Sequence, residues 1–171
     1  TIYAINYFEE LKRKYSKGKE RKTLISQFDT IQANQVVAAN AKLYVNRAEG
    51  FVGMGMKKDE FVSDCSDLDD IITFRRDGKF LVSKISDKTF VGKDIIHVAI
   101  WRKNDERIIY NMVYVDGKDG ISYIKRFNVT AITRDKEYDL TKGNPNSKVI
   151  YFTVNPNGES EIISILLIQG S

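Results

Sequence analysis

One hairpin constrains this chain more than any other stretch. Residues Asp69 to Ile85 read Asp-Asp-Ile-Ile-Thr-Phe-Arg-Arg-Asp-Gly-Lys-Phe-Leu-Val-Ser-Lys-Ile. Ile72 and Phe74 alternate with polar neighbours, Asp77-Gly78 supplies a tight turn, and Phe80, Val82 and Lys84 continue at period two. That is the pattern of two strands folded back on each other. An Asp-Gly pair between such runs predicts a type I′ turn, whose central residues need positive φ. The plan recurs upstream in Leu43-Tyr-Val-Asn-Arg-Ala-Glu-Gly-Phe-Val-Gly-Met and downstream from Val113 to Phe127. A weaker copy runs from Ile150 to Gly158 and is followed by Glu161-Ile-Ile-Ser-Ile-Leu-Leu. The turn glycines Gly50, Gly78, Gly120 and Gly158 are 28, 42 and 38 residues apart. A spacing near forty, with strands throughout, marks a radially repeated or stacked β unit. An antiparallel sandwich also strings hairpins at short intervals and stays open as an alternative.

At 171 residues, with 42% hydrophobic and 29% charged residues, the chain is one domain or one domain with an appended helical piece. Ile2, Ile5, Tyr7-Phe8 and Leu11 fall at helical spacing, which predicts an amphipathic helix over residues 2–16 ended by Gly18. Thr23 to Ile31 fits either a short helix or an extended connector, and Val36 to Val45 opens the strand region. Ser86 to Asp94 and the polar stretch Thr133 to Ser147 read as loops, the second long enough to be functional. His97 to Trp101 and Ile108 to Val115 read as strands.

Several chemistries are poorly supported. No apolar run approaches the roughly 20 residues needed to span a bilayer, and Thr1-Ile-Tyr-Ala lacks a signal-peptide pattern. The start also lacks an initiator Met, as expected of a piece of a longer protein. A lone cysteine, Cys65, points to a reducing, cytoplasmic setting, and its acidic neighbours point to an inert thiol. One histidine, His97, on an apolar strand reads as structural, and one His with one Cys makes no metal cluster. Asp64, Asp67, Asp69 and Asp70 lack the glycine and terminal Glu of a calcium loop and read as a solvated turn. Neither a phosphate-binding loop nor a nucleophile elbow is present, so no catalytic residue is assigned.

Charge is more informative. The chain carries +4 with a pI near 9.0. Seven basic residues between Lys12 and Lys22 face one acid, Glu20, while after Gly143 only Lys148 is basic. A solvated helix face would explain the first cluster. The basic residues Arg75, Arg76, Lys84, Lys93, Lys125, Arg126, Arg134 and Lys142 lie in or beside successive hairpins and loops. Repetition would set them on equivalent edges as a curved basic track, suited to a nucleic-acid backbone held without base-specific contacts.

The stretch from Tyr7 to Thr23, Tyr-Phe-Glu-Glu-Leu-Lys-Arg-Lys-Tyr-Ser-Lys-Gly-Lys-Glu-Arg-Lys-Thr, resembles the segment closing the breakage-reunion core of bacterial DNA gyrase and topoisomerase IV A subunits. Leu43-Tyr-Val-Asn-Arg, Lys57-Lys-Asp-Glu-Phe, Asp67-Leu-Asp-Asp-Ile-Ile, Phe90-Val-Gly-Lys-Asp, Thr133-Arg-Asp-Lys-Glu-Tyr-Asp-Leu-Thr-Lys-Gly and Asn155-Pro-Asn-Gly resemble the C-terminal region of that protein in its Bacteroidetes-type form. The resemblance covers essentially the whole chain. It implies a mainly β fold, a partial β-pinwheel of four-stranded blades with an N-terminal helix. Residues 1–35 would close the core, and 36–171 would hold about two and a half to three blades.

The resemblance further implies a basic outer rim that binds and bends duplex DNA. It adds Lys148 to the candidates and places Lys93, Arg134 and Lys142 in blade-connecting loops. The implied parent is a cytoplasmic, non-membrane type IIA topoisomerase. It would work with a B subunit and need ATP and Mg2+ through other domains, with no cofactor in this chain. The family's active-site tyrosine motif is absent, so the chain is not expected to cleave DNA alone. The Gln-Arg-Arg-Gly-Gly-Lys-Gly box is absent too, leaving gyrase and topoisomerase IV both open. An unpaired edge near Ile162 to Ile168 is expected, apolar enough to self-associate. The competing reading is a protein-interaction β-propeller docking a partner or the enzyme core.

Overall fold

The computed structural model describes residues 2–18 and 40–165. The chain divides into two compact units, Thr1–Val36 and Val37–Ser171. The first contains α1 (Ile2–Tyr15), with Lys12, Arg13 and Lys14 in its last turn, where cations complement the negative end of the helix dipole. Gly18, at φ +75°, follows the helix end. The connector Thr23–Ile31 and the stretch Val36–Ala39 lie outside the described residues.

The second unit contains β1 (Ala41–Asn46), β2 (Phe51–Gly53), β3 (Glu60–Cys65), β4 (Asp70–Arg75), β5 (Lys79–Lys84), β6 (Thr89–Phe90), β7 (Ile95–Trp101), β8 (Ile109–Val115), β9 (Ser122–Phe127), β10 (Glu137–Asp139) and β11 (Lys148–Asn155). They form three antiparallel sheets, ordered β3-β1-β2-β6, β10-β5-β4-β7 and β11-β8-β9. One rule builds all three. A hairpin sits at the centre, and a later strand pairs with its first strand: β3 on β1, β7 on β4, β11 on β8. The chain enters the next hairpin before returning with a short strand beside the second strand of the earlier one, β6 on β2 and β10 on β5. The corresponding place beside β9 is unfilled among the described residues.

Backbone bonds repeat with the topology. Val91 N–H donates to the Gly50 carbonyl at 2.8 Å, and Leu140 N–H to the Gly78 carbonyl at 3.0 Å. Ile95 N–H donates to Arg47 and Val149 N–H to Arg76, at 3.0 and 2.8 Å. Each returning segment is therefore tied to a hairpin turn by the same two contacts.

The sheets stack as three layers rather than the two of a sandwich. Leu43, Val45 and Val52 of the first sheet pack on Ile71, Ile95 and Val98 of the second. The opposite face of the second, Ile72, Phe74, Phe80 and Val82, packs on Tyr110, Phe127 and Phe152 of the third. Phe74 is the hub, its ring centroid 4.7 Å from Phe152, 4.8 Å from Tyr110 and 5.3 Å from Phe80. The indole N–H of Trp101 donates to the Val129 carbonyl at 2.8 Å, satisfying a buried donor. β4 is buried on both faces, as a central layer requires, so its alternation is only partial.

Three local expectations change. The second hairpin does not turn as type I′: Gly78 alone has positive φ (+82°), and its N–H donates to Arg75. That is a type I turn with glycine in the following left-handed position. Among the described residues the weaker copy from Ile150 to Gly158 forms no hairpin: β11 pairs back on β8 and ends in the 3-10 turn Pro156–Gly158. Both stretches read as loops, Ser86–Asp94 and Thr133–Ser147, carry a short strand. Among the described residues the first strand is β1, from Ala41. Cys65 is buried, and burial with Asp69 and Asp64 nearby pushes its thiol up, which makes it inert. No helix among the described residues is long and apolar enough to cross a membrane.

Candidate nucleic-acid interface

The two backbone ties bring the hairpin turns and the returning loops together at one end of the stacked sheets. Arg76 lies at the centre of this rim. Its N–H donates to the Asp94 carbonyl at 2.9 Å, while its carbonyl accepts from Val149. Lys93 precedes the first of these partners and Lys148 the second. Arg76, Lys93 and Lys148 are all exposed, and none forms an ion pair among the described residues. The contact of the Arg76 guanidinium with the Val149 carbonyl, at 3.5 Å, is long. Three solvated cations thus succeed one another where the second sheet meets its neighbours.

Arg75, next in sequence to Arg76, has a different environment. Its side chain is only 13% exposed, with Nη2 at 2.6 Å from Glu137 and 2.9 Å from Asp77, and Nη1 donating to the Val91 carbonyl at 3.1 Å. Burial works against its charge, but Asp77 and Glu137 outweigh it and hold the guanidinium above its ordinary range. Arg75 is a tie between the hairpin turn, β10 and the loop after β6.

The remaining candidates divide by place. Lys142 is on the rim but committed, with Nζ against the Tyr123 hydroxyl, 4.0 Å from that ring's centroid and 3.6 Å from Asp119. The Tyr123 hydrogen bond is the main cause holding its pKa above the ordinary lysine value. Lys125 is half-buried, its amine against the Leu140 carbonyl. Three candidates lie at the opposite end of the sheets. Lys84 closes β5 opposite Asp70, and Arg134 pairs with Asp70 at 2.8 Å. Arg126 donates to the Gly158 and Glu159 carbonyls at 2.9 and 3.1 Å. The structure therefore brings Arg76, Lys93, Lys142, Lys148 and the inward Arg75 to one rim and sets the other four apart.

One exposed rim cation outside any ion pair among the described residues was not singled out from sequence. Lys118 is exposed in the third turn, where buried Asp116 accepts from Asn144 at 3.0 and 3.1 Å and from the amides of Lys118 and Asp119. Its position in the turn of a recurring hairpin was the available signal. Charge overall is balanced in this unit: from Val37 onward there are 20 Lys and Arg against 19 Asp and Glu, so the excess of the chain comes mostly from its first 36 residues. Any pull on an anion by the sheets is local to the rim. Among the described residues no group of three or more His, Cys, Asp or Glu is placed to hold a metal ion.

Three comparisons bear on this architecture. The family described as topoisomerase C-terminal domain, Bacteroidota, matches residues 42–169. The A subunit of DNA topoisomerase 4 from Borreliella burgdorferi is 32% identical over 155 residues, covering 90% of this chain and 24% of that protein. The chain thus spans about a quarter of the length of that relative. No solved structure matches. The match to residues 42–169 takes in all but the first residue of β1 and every later strand. With the identity across nine-tenths of its length, this chain belongs to the Bacteroidota-type topoisomerase C-terminal domain family.

Proposed function

We propose that this chain is a non-catalytic DNA-binding and bending module from the A subunit of a type IIA topoisomerase. In this reading it is a partial β-pinwheel that holds duplex DNA along its turn rim. The observation that carries the reading is the run Lys93, Arg76, Lys148, three exposed cations outside any ion pair among the described residues, set in sequence by the backbone bonds of Arg76. Point charges on a rigid edge suit phosphate contacts, which fix the path of a duplex and carry no base information. The strands that pass between successive sheets support the pinwheel description, since they make the rim one continuous piece. In the parent enzyme the strand-passage chemistry would belong to other domains. ATP and Mg2+ would act there, in the cytoplasm, with a B subunit as the second partner.

Fluorescence anisotropy with a random-sequence duplex tests the reading across a salt series. Each phosphate neutralised contributes about 0.9 to the slope of log affinity against log salt. Replacing Arg76, Lys93 and Lys148 together by Ala should lower that slope by roughly 2 to 3. Bending is read separately as a shortened end-to-end distance in a doubly labelled duplex. Affinity that is absent at low salt, that ignores salt, or that survives the triple substitution unchanged would refute the rim as the contact.

A further inference from the structure

Two arginines hold the same place in successive hairpin turns, and one of them shows how that place takes an anion. Backbone bonds set the equivalence. Gly50 N–H donates to the Asn46 carbonyl and Gly78 N–H to the Arg75 carbonyl, the residues just before Arg47 and Arg76. The Arg47 carbonyl accepts from Ile95 and the Arg76 carbonyl from Val149, each on a returning segment. The guanidinium groups match as well: Nη1 of Arg47 donates to the Ile95 carbonyl and Nη1 of Arg76 to the Val149 carbonyl, both at 3.5 Å. In the third turn Gly120 N–H donates to Asp116, which puts Gly117 at this place and leaves no fork there.

The two arginines differ at the other edge of the fork. Nε and Nη2 of Arg47 donate side by side to Oε2 and Oε1 of Glu60, both at 2.8 Å. This is the bidentate geometry in which a guanidinium takes a carboxylate or a phosphate. The hydrogen bonds between them hold Arg47 above its ordinary range and Glu60 below its own. Glu60 lies opposite Val45, and the corresponding place, opposite Phe74, is held by His97. The His97 ring packs among aromatics, 5.6 Å from Phe152 and 6.0 Å from Phe74, and burial keeps it neutral. That place therefore supplies no carboxylate to Arg76. The acid next to Arg76 in the turn, Asp77, is taken by Arg75 at 2.9 Å. Nε and Nη2 of Arg76 have no partner among the described residues.

We propose that Arg76 takes one phosphate group of the duplex between Nε and Nη2, as Arg47 takes Glu60, and that Glu60 keeps Arg47 from making the same contact. This rests on the reading of the rim as a DNA-binding edge. It adds that Arg76 is an oriented pair of donors rather than a bare charge, with Nη1 on the Val149 carbonyl setting the plane of the fork. Residues 91–95 join the two places, since Ile95 N–H meets Arg47 and the Asp94 carbonyl accepts from Arg76. Arg47 is thus the next such place along the same rim.

Duplex anisotropy across a salt series separates a fork from a charge. Arg76→Lys keeps the charge and gives up the paired donors, so affinity should fall roughly threefold to tenfold with the salt slope unchanged. Glu60→Ala should free Arg47, tighten binding and steepen the slope by about 0.9. Adding Arg47→Ala to Glu60→Ala should cancel that gain. Glu49→Ala removes the same charge from the same turn and should leave the slope as it was. Equal affinity for Arg76→Lys and the unaltered chain, or an equal gain from Glu49→Ala, overturns the proposal and leaves the DNA-binding reading in place. A second readout needs no DNA. In nitrogen–proton correlation spectra, inorganic phosphate added at constant ionic strength should shift the Arg76 Nε–H resonance saturably, and that of Arg47 only once Glu60 is replaced by Ala. If these resonances respond while the duplex fails to bind at low salt, the DNA-binding reading falls and the fork stands. An Arg76 resonance that neither phosphate nor duplex moves overturns the fork.

Discussion

Arg75 and Arg76 are adjacent, carry the same charge and belong to the same turn, yet replacing each by Ala should have opposite consequences. Arg75 makes ion pairs at 2.6 Å with Glu137 and 2.9 Å with Asp77, and donates at 3.1 Å to the Val91 carbonyl. Truncation removes three ties, one within the turn to Asp77 and two to segments far along the chain, at Val91 and Glu137. Fully buried pairs lose roughly 3–5 kcal/mol when one partner is removed. Here both carboxylates remain half-exposed and Glu137 keeps Lys79 at 2.9 Å, so the loss should be smaller, roughly 2–3 kcal/mol. For a chain of this length that lowers Tm by roughly 5–10 °C. Arg76→Ala removes only a long contact to Val149 and should change stability by at most about 0.5 kcal/mol. Its effect should instead appear in duplex affinity and salt slope. Urea unfolding followed by circular dichroism gives the first quantity and anisotropy the second. If Arg75→Ala unfolds like the unaltered chain, or Arg76→Ala loses as much stability as Arg75→Ala, the division of labour is wrong. Arg75→Lys adds a check: it keeps the charge but not the fork that reaches three partners, so its stability should fall between.

Phe74→Ala should remove the hub between the second and third sheets and cost roughly 3–5 kcal/mol, read as a fall in the urea midpoint with DNA affinity per folded molecule unchanged. Gly50→Ala should destabilise the first sheet, because Gly50 sits at φ +82° and a Cβ there would fall 2.3 Å from the Gly92 carbonyl oxygen; a melting curve tests it. His97 is held down to about 4 by burial and by nearby Arg47, and its Nε2 has no hydrogen-bond partner. Between that value and its ordinary 6.5 the unfolded chain binds a proton that the folded chain does not. Stability should therefore be complete above pH 7 and fall by about 3 kcal/mol as pH drops through this window, a component that His97→Phe should abolish in denaturant titrations at stepped pH.

What the sequence revealed and what it hid follow from the range of the interactions involved. α1 and the three hairpins carry local signals: apolar residues at helical spacing, alternation at period two, and a glycine where the turn needs positive φ. The returning strands carry none. Thr89–Phe90 and Glu137–Asp139 are too short to show alternation and too polar to stand out. Beside β2 and β5 a row of backbone donors and acceptors is free, and whichever segment reaches it becomes a strand there. A partial signal was present: each is followed by an aliphatic residue, Val91 or Leu140, whose N–H caps a turn glycine, with a further glycine close behind. Comparing the two segments with each other, rather than with a strand template, would have found them.

The same limit governed the charges. Sequence shows where a cation is but not which acid reaches it. Glu137 lies 62 residues beyond Arg75, so both arginines of the pair read as rim cations until the return of β10 placed that carboxylate on one of them. Fold and interface therefore became legible through one event. The strand that crosses back to complete a sheet also decides which lysines and arginines are consumed in holding the sheets together, and leaves the rest, Arg76, Lys93 and Lys148 among them, facing water.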